Sequence, residues 1–512
     1  MGNRLLHYGT HLCYNTQVNI IKSRNNGIWA VILTAVLTAS CDFFNWDQET
    51  QGTSFYAQNM VTSKFYTVKA NKLVEGAKCV IWAEAGSGVT TTDAREIANE
   101  YDNNIRPKIV NAFSEKNFTY DYKGTQYHFN DILDYANWFT GGDDGKLTIL
   151  LLDIKDGYNP QTGSYVAGYF FSGDFLPQGK IGGPDSDIFS NGMDMIYIDT
   201  SPGLKRKEQA YATFAHELQH LISAATMIYI DREFFQDTWI DEGLSSQAEY
   251  LYLGRNPADK CQWFSNDQKG TIAKGNNFFV WGNHAEEPLA ILDDYATVYL
   301  FFRWLYLQAN EIQKQRLFRD IITSEEFDYR AVTNAASKIN PAWANWETLL
   351  RTWFAANYAP SNAAYGYKGD DYLQRTIKVT PIAGNSIMLY PGEGVYSIIN
   401  GSFSSANQSA PGFIRYAGLA SNGTITGTSS PYSGNRLLTF NTNTTSKTTL
   451  ATPASGQLTG ITPPVSVSIG TNGTAGARTV EATGPYVIDA RDLLGRNREA
   501  PTISPRSLRP LR

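Results

Sequence analysis

The sequence predicts an α+β protein with more than one folded unit, and the order of its segments along the chain carries this prediction. Strand-like runs separated by turns fill residues 67–203, and helix-patterned, Trp-rich segments fill residues 204–375. Residues 376–490 are dense in Gly, Ser, Thr and Asn, with short apolar runs between them. Strands followed by helices are typical of the α+β class, and 512 residues exceed the usual size of one domain.

The amino-terminal segment has the pattern of an export signal. Lys22 and Arg24 precede an apolar stretch from Ile28 to Leu37, which is too short to span a bilayer comfortably as a permanent helix. Small residues then lead directly to Cys41, as in a relaxed bacterial lipoprotein processing site. We expect residues 1–41 to be a leader, and the protein to be either lipid-anchored at Cys41 in the cell envelope or secreted.

Two further segments are predicted to lie outside the folded units. Residues 42–66 are rich in Asn, Gln, Ser and Thr and are predicted to form a tether. Residues 491–512 are rich in Arg and Pro and are predicted to form a disordered tail.

The sheet-rich part is predicted from apolar and β-branched runs between turns. Strands are expected at 65–68, 79–82, 147–154, 165–172 and 195–199. Asp93 is expected to cap a helix, and Pro107 to start or kink the continuation of that helix to Phe113. Within residues 376–490, runs such as 394–399 and 436–440 predict strands of a small β-sandwich or barrel.

The segment around residues 208–225 predicts a buried helix with an unusual set of polar residues. It contains no Gly or Pro, and apolar residues recur at helical spacing. His216 and His220 stand four residues apart, so a helix presents both imidazoles on one face, where they can bind one metal ion. Glu217 follows the first of them and can act as a general base without having to bind the metal. The chain has six His, so chance gives this spacing rarely.

A third protein ligand would leave one coordination position open for water. No third His follows at the spacing that metzincins require, so that subclass is excluded. The acidic candidates downstream are Asp231, Glu233, Asp237, Asp241, Glu242 and Glu249. Glu242 falls in the first turn of a second predicted helix, 239–252, where a helix-start charge is the alternative reading. Glu249 lies on the same face and is expected to be an outer partner of the site or a surface charge.

The two helical motifs together resemble a known superfamily. A helical His-Glu-x-x-His followed by Trp239-Ile240-Asp241-Glu242-Gly243-Leu244 is similar to the gluzincins, the thermolysin and aminopeptidase N superfamily, and within it to the hyicolysin-like peptidases of bacteria. Weaker similarity extends over residues 67–360. The resemblance implies His216, His220 and Glu242 as ligands of one catalytic Zn²⁺ and Glu217 as the catalytic carboxylate. It also implies a gluzincin-type fold, with a mixed-sheet part followed by a helical part that holds the zinc site.

One position departs from the thermolysin pattern. There, an Asp four residues after the ligand Glu orients a zinc-binding His, and Ser246 stands at that position here. Relatives also supply a donor to the oxyanion. The candidates here are Tyr295, Tyr299 and His284, and each tyrosine has the alternative of being a core aromatic residue. In the same superfamily a strand at the edge of the cleft pairs with the substrate, for which 169–172 is the candidate.

The remaining composition excludes several classes of function. A net charge of −6 is mild for this length and indicates neither nucleic-acid binding nor a polybasic membrane surface. After Cys41 only Cys79 and Cys261 remain, and they can form one disulfide or stay as buried thiols. Asp143-Asp144-Gly145 lacks the spacing of a defined calcium loop and is predicted to be a turn, so Ca²⁺ is not supported.

The sequence thus leaves two hypotheses of different classes. The first is an exported zinc metalloendopeptidase that hydrolyses protein or peptide substrates. The second is a cell-envelope binding or adhesion lipoprotein that retains a peptidase-like fold. Intact His216, Glu217, His220 and Glu242 favour the enzyme.

Overall fold

The computed structural model describes residues 52–444 apart from 161–164, 182–185, 233–234, 267–290 and 383–385, together with a few short strands outside these ranges. These residues form an α+β fold with a mixed sheet, a helical layer and a β-rich carboxyl-terminal module, so the predicted fold class is confirmed. Cys41, His284 and the predicted tail lie outside the described residues, as does the predicted leader apart from two short paired strands.

The strands of the first half belong to one large sheet and two small hairpins. In chain order they are β1 (Thr53–Gln58), β2 (Phe65–Glu75), β3 (Cys79–Glu84), β4 (Lys116–Tyr122), β5 (Thr125–Asp131), β6 (Leu147–Leu152), β7 (Gly168–Tyr169), β8 (Gly179–Ile181), β9 (Ile188–Ser190) and β10 (Met195–Asp199).

The large sheet has the order β1-β2-β3-β6-β10-β7. Its central strands β3, β6 and β10 run parallel, whereas β1 and β2 on one side and β7 on the other are antiparallel to their neighbours. The central strand β6 is nearly all apolar because helices cover one face and a second apolar cluster covers the other. The short strand β7 therefore lies at one edge of the sheet.

The helices fill the space beside this sheet and the region after it. They are α1 (Thr91–Glu100), α2 (Arg106–Phe113), α3 (Ile132–Phe139), α4 (Lys207–Tyr229), α5 (Thr238–Leu253), α6 (Ala258–Asn266), α7 (Ile291–Gln308), α8 (Glu311–Lys314), α9 (Leu317–Ile322), α10 (Tyr329–Ser337), α11 (Trp346–Tyr358) and α12 (Asp371–Thr376). No described helix is long and apolar enough to cross a membrane.

Helix α4 is buried on almost every side, which explains why its sequence is so apolar. Leu218, Leu221 and Ile222 have no exposed surface and belong to the main hydrophobic core. Full burial of such a side chain contributes about 1.5–3 kcal/mol, so several of them hold the helix firmly between the sheet and α5.

Three local expectations differ from the structure. The first helix begins after Thr90, whose hydroxyl accepts from Asp93 N while the Asp93 carboxylate accepts from Thr90 N, so Asp93 completes a capping box rather than being the cap itself. Part of the stretch expected to be a tether forms β1, because Phe55 and Ala57 are buried in the sheet. The strand expected at 165–172 is ordered as β7 only at 168–169, and a short 3-10 helix, Ser172–Phe175, follows it.

The carboxyl-terminal module is built on an antiparallel sheet. Its strands are β11 (Ser386–Leu389), β12 (Gly394–Ile398), β13 (Ile414–Leu419), β14 (Ile425–Thr426) and β15 (Arg436–Asn441), and the order β12-β15-β13-β14 forms the main sheet. β11 pairs instead with the strand Val465–Ser468. Further short strands are Thr449–Leu450, Gln457–Thr459 and Ile488–Asp489.

Two smaller sequence questions are answered by the fold. Cys79 and Cys261 are both free and buried, so they do not form a disulfide, and burial raises the pKa of each thiol. The chain bends at Asp143-Asp144, and Gly145 adopts a positive φ of 62°. Asp144 Oδ1 accepts from the backbone N of Lys146 at 3.0 Å, which is the behaviour of a turn residue.

Asp194 is a carboxyl group buried just before β10. Only 3% of its surface is exposed, and its Oδ1 accepts from Asn137 Nδ2 at 3.1 Å. Burial raises the pKa of Asp194 from 3.8 to about 8, and the hydrogen bond from Asn137 offsets only part of this effect. The folded protein therefore holds this carboxyl in its neutral form at neutral pH.

Replacing Asp194 tests this assignment through the pH dependence of stability. The unfolded chain releases the Asp194 proton near pH 4, whereas the folded chain keeps it to about pH 8. The contribution of Asp194 to the free energy of unfolding is thus at its maximum below pH 4 and falls as the pH rises toward 8. Asp194→Asn should remove that loss. Between pH 4 and pH 8 the free energy of unfolding of the variant, measured in urea, should therefore rise relative to that of the wild type by up to about 1.4 kcal/mol per pH unit. The exposed Asp143→Asn is the control, and equal slopes for both variants would contradict the assignment.

Candidate metal centre

Two buried imidazoles stand next to each other on helix α4. His216 and His220 are 7% and 2% exposed, and their ring centroids are 4.7 Å apart with ring planes at 81°. The spacing of four residues on an unbroken helix produces this arrangement, as expected from the sequence. The two rings thus present one nitrogen each toward a common point.

Glu242 on helix α5 completes the group. Its Oε2 lies 3.3 Å from His216 Nε2 and 3.7 Å from His220 Nε2, and only 1% of the residue is exposed. Ligands held about 2.0–2.1 Å from a tetrahedral zinc are separated from one another by about 3.4 Å, so these distances fit such an ion. In the described part of the chain, this is the one group of His, Cys, Asp and Glu whose ligand atoms all lie within 4.8 Å of one another.

Helix α5 is held in place by packing against helix α7. A Cβ atom on Gly243 would lie 2.2 Å from the ring of Phe302, so glycine is required next to Glu242 for the two helices to approach this closely. Trp239, one turn earlier, stacks on the same Phe302 ring with centroids 5.8 Å apart. The Trp and Gly of the second sequence motif are therefore packing residues that fix the position of Glu242.

The other nitrogen of each imidazole is bound by a carboxylate. His216 Nδ1 lies 2.7 Å from Glu249 Oε1, and His220 Nδ1 lies 3.2 Å from Asp241 Oδ1. Because a carboxylate can only accept, Nδ1 carries a proton in each ring, and Nε2 is the nitrogen that each ring turns toward Glu242. Each imidazole therefore has a carboxylate partner, although Ser246 stands where thermolysin has an Asp.

These two partners are only partly predictable from the sequence. Glu249 lies seven residues after Glu242, on the same face of α5, where the sequence predicts an outer partner of the site or a surface charge. In the structure it contacts His216. The role of Asp241 was missed, since nothing in its position next to Glu242 indicates that it faces His220.

The surrounding charges favour a cation at this point. Burial by itself would lower the pKa of His216, but hydrogen bonds to Glu242 and Glu249 and the charge of Glu217 raise it to about 9. Burial would raise the pKa of Glu249, but the charges of Lys260 and His216 lower it to about 2. The group is therefore a strongly negative, largely buried environment around two imidazoles.

Glu217 is buried beside the cleft that leads to these residues. It is 2% exposed and lines the cleft together with His216. The cleft has a volume of about 1130 Å³, and its wall also includes Val166–Gly168 at the sheet edge. Gly168 approaches α4 closely, because a Cβ there would lie 2.8 Å from Thr213 Cγ2. The edge strand β7 and the histidine helix therefore border the same space.

The remaining candidate residues have different surroundings. Tyr295 lines the cleft, with Lys260 Nζ 5.8 Å from its ring centroid. Tyr299 is fully buried and donates from its hydroxyl to Asn256 Oδ1 at 2.6 Å, so it is a core aromatic residue. Ser246 accepts from Lys260 Nζ at 3.1 Å.

Comparison with known proteins gives one informative similarity. No protein-family model matches the chain. The chain is 26% identical over 325 residues to the neutral metalloprotease ShpI of Staphylococcus hyicus, a match that covers 62% of this chain and 65% of that protein. The chain thus spans slightly less than two thirds of the length of this relative. The similarity supports a metallopeptidase in the broad sense, and the buried His-His-Glu group is compatible with the metal that such an enzyme uses.

Proposed function

We propose that this protein is a zinc-dependent endopeptidase of the gluzincin type, similar to the hyicolysin-like peptidases, with His216, His220 and Glu242 as zinc ligands. The observation that carries the proposal is the convergence of His216 Nε2, His220 Nε2 and Glu242 Oε2 beside a large cleft whose wall includes His216. Two imidazoles and one carboxylate are the protein ligands of catalytic zinc in enzymes such as thermolysin, where the fourth position is left for water. The similarity to the neutral metalloprotease also supports a metal-dependent peptidase.

Glu217 is the proposed general base. Zinc bound by these ligands would lower the pKa of a water molecule to about 7 and polarise a carbonyl group. Glu217 would accept a proton from the attacking water on the cleft side of α4 and then donate it to the leaving amide nitrogen. Its burial at 2% exposure excludes bulk water from the carboxylate, which keeps the proton available for that second transfer.

An extended peptide is the proposed substrate. The edge strand β7 borders the cleft next to α4, and a peptide can pair with an exposed strand edge through main-chain hydrogen bonds. A cleft of about 1130 Å³ also exceeds the space that one side chain needs. Tyr295 on the cleft wall is the candidate donor to the oxyanion, and its hydroxyl is the group that this role would use.

We also propose that the protein is exported, because its amino-terminal segment has the pattern of an export signal. Lys22, Arg24 and the apolar stretch before Cys41 favour delivery to the cell envelope, with lipid attachment at Cys41 or secretion as the two routes. The proposed organisation keeps residues 67–375 as the peptidase part and 376–490 as the β-rich module.

Asp241→Asn should weaken zinc binding without removing a ligand. The amide keeps the size of the side chain but loses the charge that orients and polarises His220, and such partners typically contribute about 10- to 100-fold to metal affinity. The measurement is the zinc Kd by competition with a chelator of known affinity. Asp259→Asn, an exposed carboxylate at the same cleft, is the matched control. An unchanged Kd for Asp241→Asn would contradict its assigned role.

Glu217→Gln should strongly reduce hydrolysis while zinc stays bound. Loss of a general base reduces kcat/KM by about 10²- to 10⁴-fold, and glutamine cannot take the proton. The measurements are cleavage of casein and of internally quenched peptides, with zinc content determined on the same samples. Glu208→Gln is the matched control, because Glu208 is an exposed residue of the same helix that pairs with Arg255 at the surface. Hydrolysis unchanged in Glu217→Gln would reject the proposed base.

The same experiment separates the enzyme from the binding-protein hypothesis. A wild-type chain that binds zinc at one equivalent but cleaves none of a varied peptide set would favour the cell-envelope binding protein. Cleavage inside protein chains, rather than release of terminal residues, would support the endopeptidase.

A further inference from the structure

Lys260 makes close contacts with the carboxylate behind His216. Its Nζ lies 2.7 Å and 2.8 Å from the two oxygens of Glu249 and donates to Ser246 Oγ at 3.1 Å. Glu249 in turn accepts from His216 Nδ1 at 2.7 Å. The ammonium, the carboxylate and the imidazole therefore form one continuous chain of charge-assisted hydrogen bonds.

Helix α6, which carries Lys260, is anchored independently of the metal ligands. Just before it, Asn256 accepts from Tyr299 Oη at 2.6 Å and donates from Nδ2 to Asp370 Oδ2 at 2.9 Å. Arg303 Nη2 donates to the same Asp370 oxygen at 2.9 Å. Lys260 thus reaches Glu249 from a part of the fold that α7 and the segment before α12 hold in place.

The charges around the two imidazoles show why a cation is needed there. Four carboxylates lie in or beside the group, namely those of Glu217, Asp241, Glu242 and Glu249. A divalent ion balances two of these charges, and buried charges without compensation are costly. Lys260 forms an ion pair with Glu249. Arg232 interacts electrostatically with Asp241, since burial lowers the pKa of the Arg232 guanidinium and the charge of Asp241 opposes that lowering. Two cations and one divalent ion together balance the four carboxylates.

We propose that Lys260 is a positioning residue of the metal site, which fixes the Glu249 carboxylate against His216 Nδ1 and so holds the imidazole with Nε2 turned toward the ion. This inference rests on the proposed zinc site. Without the ammonium, the Glu249 carboxylate would lose both hydrogen bonds from Lys260 Nζ and its link through Nζ to Ser246. His216 would then be free to turn on its Cβ–Cγ bond, and the three ligand atoms would no longer be held at one spacing.

The test is a double-mutant cycle read as zinc affinity. The full chain is prepared as wild type, Lys260→Met, Glu249→Gln and the double variant, and the zinc Kd is measured by chelator competition. Lys260→Met should weaken binding by about 10- to 100-fold. In the Glu249→Gln background the same change should cost less than about threefold, because Lys260 acts through Glu249. Arg255→Met, a cation at the rim of the same cleft that pairs with Glu208, is the matched control and should leave the Kd unchanged.

Each other outcome of the cycle overturns the inference. Losses that multiply in the double variant would mean that Lys260 supports only the local fold. Tighter zinc binding in Lys260→Met would mean that its charge merely repels the ion. An unchanged Kd would mean that Glu249 holds His216 unaided.

One more variant keeps the inference testable where Lys260→Met does not fold. Lys260→Arg retains a cation that can bind both Glu249 oxygens and should stay within about tenfold of the wild-type Kd. A loss as large as that of Glu249→Gln would overturn the inference. Absence of zinc binding by the wild-type chain would overturn the zinc site itself, whereas absence of hydrolysis alone leaves the cycle decisive.

Discussion

The structure around the two histidines depends on one constraint, which is that several carboxylates lie close together where little water reaches them. Glu217 and Glu242 are 2% and 1% exposed, and Asp241 is 9% exposed. Moving a carboxylate out of water costs several kcal/mol unless a cation or several hydrogen bonds compensate it. The raised pKa of His216 reflects the same field, since its burial alone would lower that pKa. A fold that buries these acids together is stable only if cations compensate their charges, which is why the site favours a metal ion.

The apolar packing around the site supplies the rigidity that such charges need. Helix α4 carries the two imidazoles on a body whose other faces are filled by Leu218, Leu221 and Ile222, all without exposed surface. Helix α5 is pressed against α7 at Gly243, where no larger residue fits under Phe302. Because both helices are fixed by many side chains, packing sets the distance between their backbones at His216 and Glu242. The hydrogen bonds of the charged side chains then set how the imidazole rings are turned within that frame.

Local patterns predicted the parts of the site that belong to one helix, but tertiary contacts decided the rest. The spacing of His216 and His220 follows from helical geometry, so the sequence sufficed for both imidazoles. Glu242 needed the resemblance to a known motif, because its approach depends on how α5 crosses α4. The role of Lys260 could not be predicted, because the position of its helix beside Glu249 depends on contacts with residues far along the chain, such as those of Asn256 with Tyr299 and Asp370.

The differences in the fold have the same origin. The β1 segment resembles a polar tether in sequence because only two of its six residues, Phe55 and Ala57, are both apolar and buried, and so short an edge strand gives a weak pattern. The α+β class, by contrast, followed from long segments with strong periodicity, such as α4, which local sequence predicts well.

The carboxyl-terminal module is joined to the helical core by packing and not by a tether alone. One face of its sheet contacts α11: Phe440 lies 6.0 Å from Phe354, and Tyr396 donates to the carbonyl oxygen of Phe354. From α11 the aromatic contacts continue inward, since Trp353 lies 5.5 Å from Phe301 and Phe301 lies 6.1 Å from Trp239, three residues before Glu242. The other face covers a small apolar cluster of its own around Val395 and Leu437. A sheet that is apolar on both faces needs the helical core to cover one of them, so the described part of the module completes the same hydrophobic interior that positions Glu242.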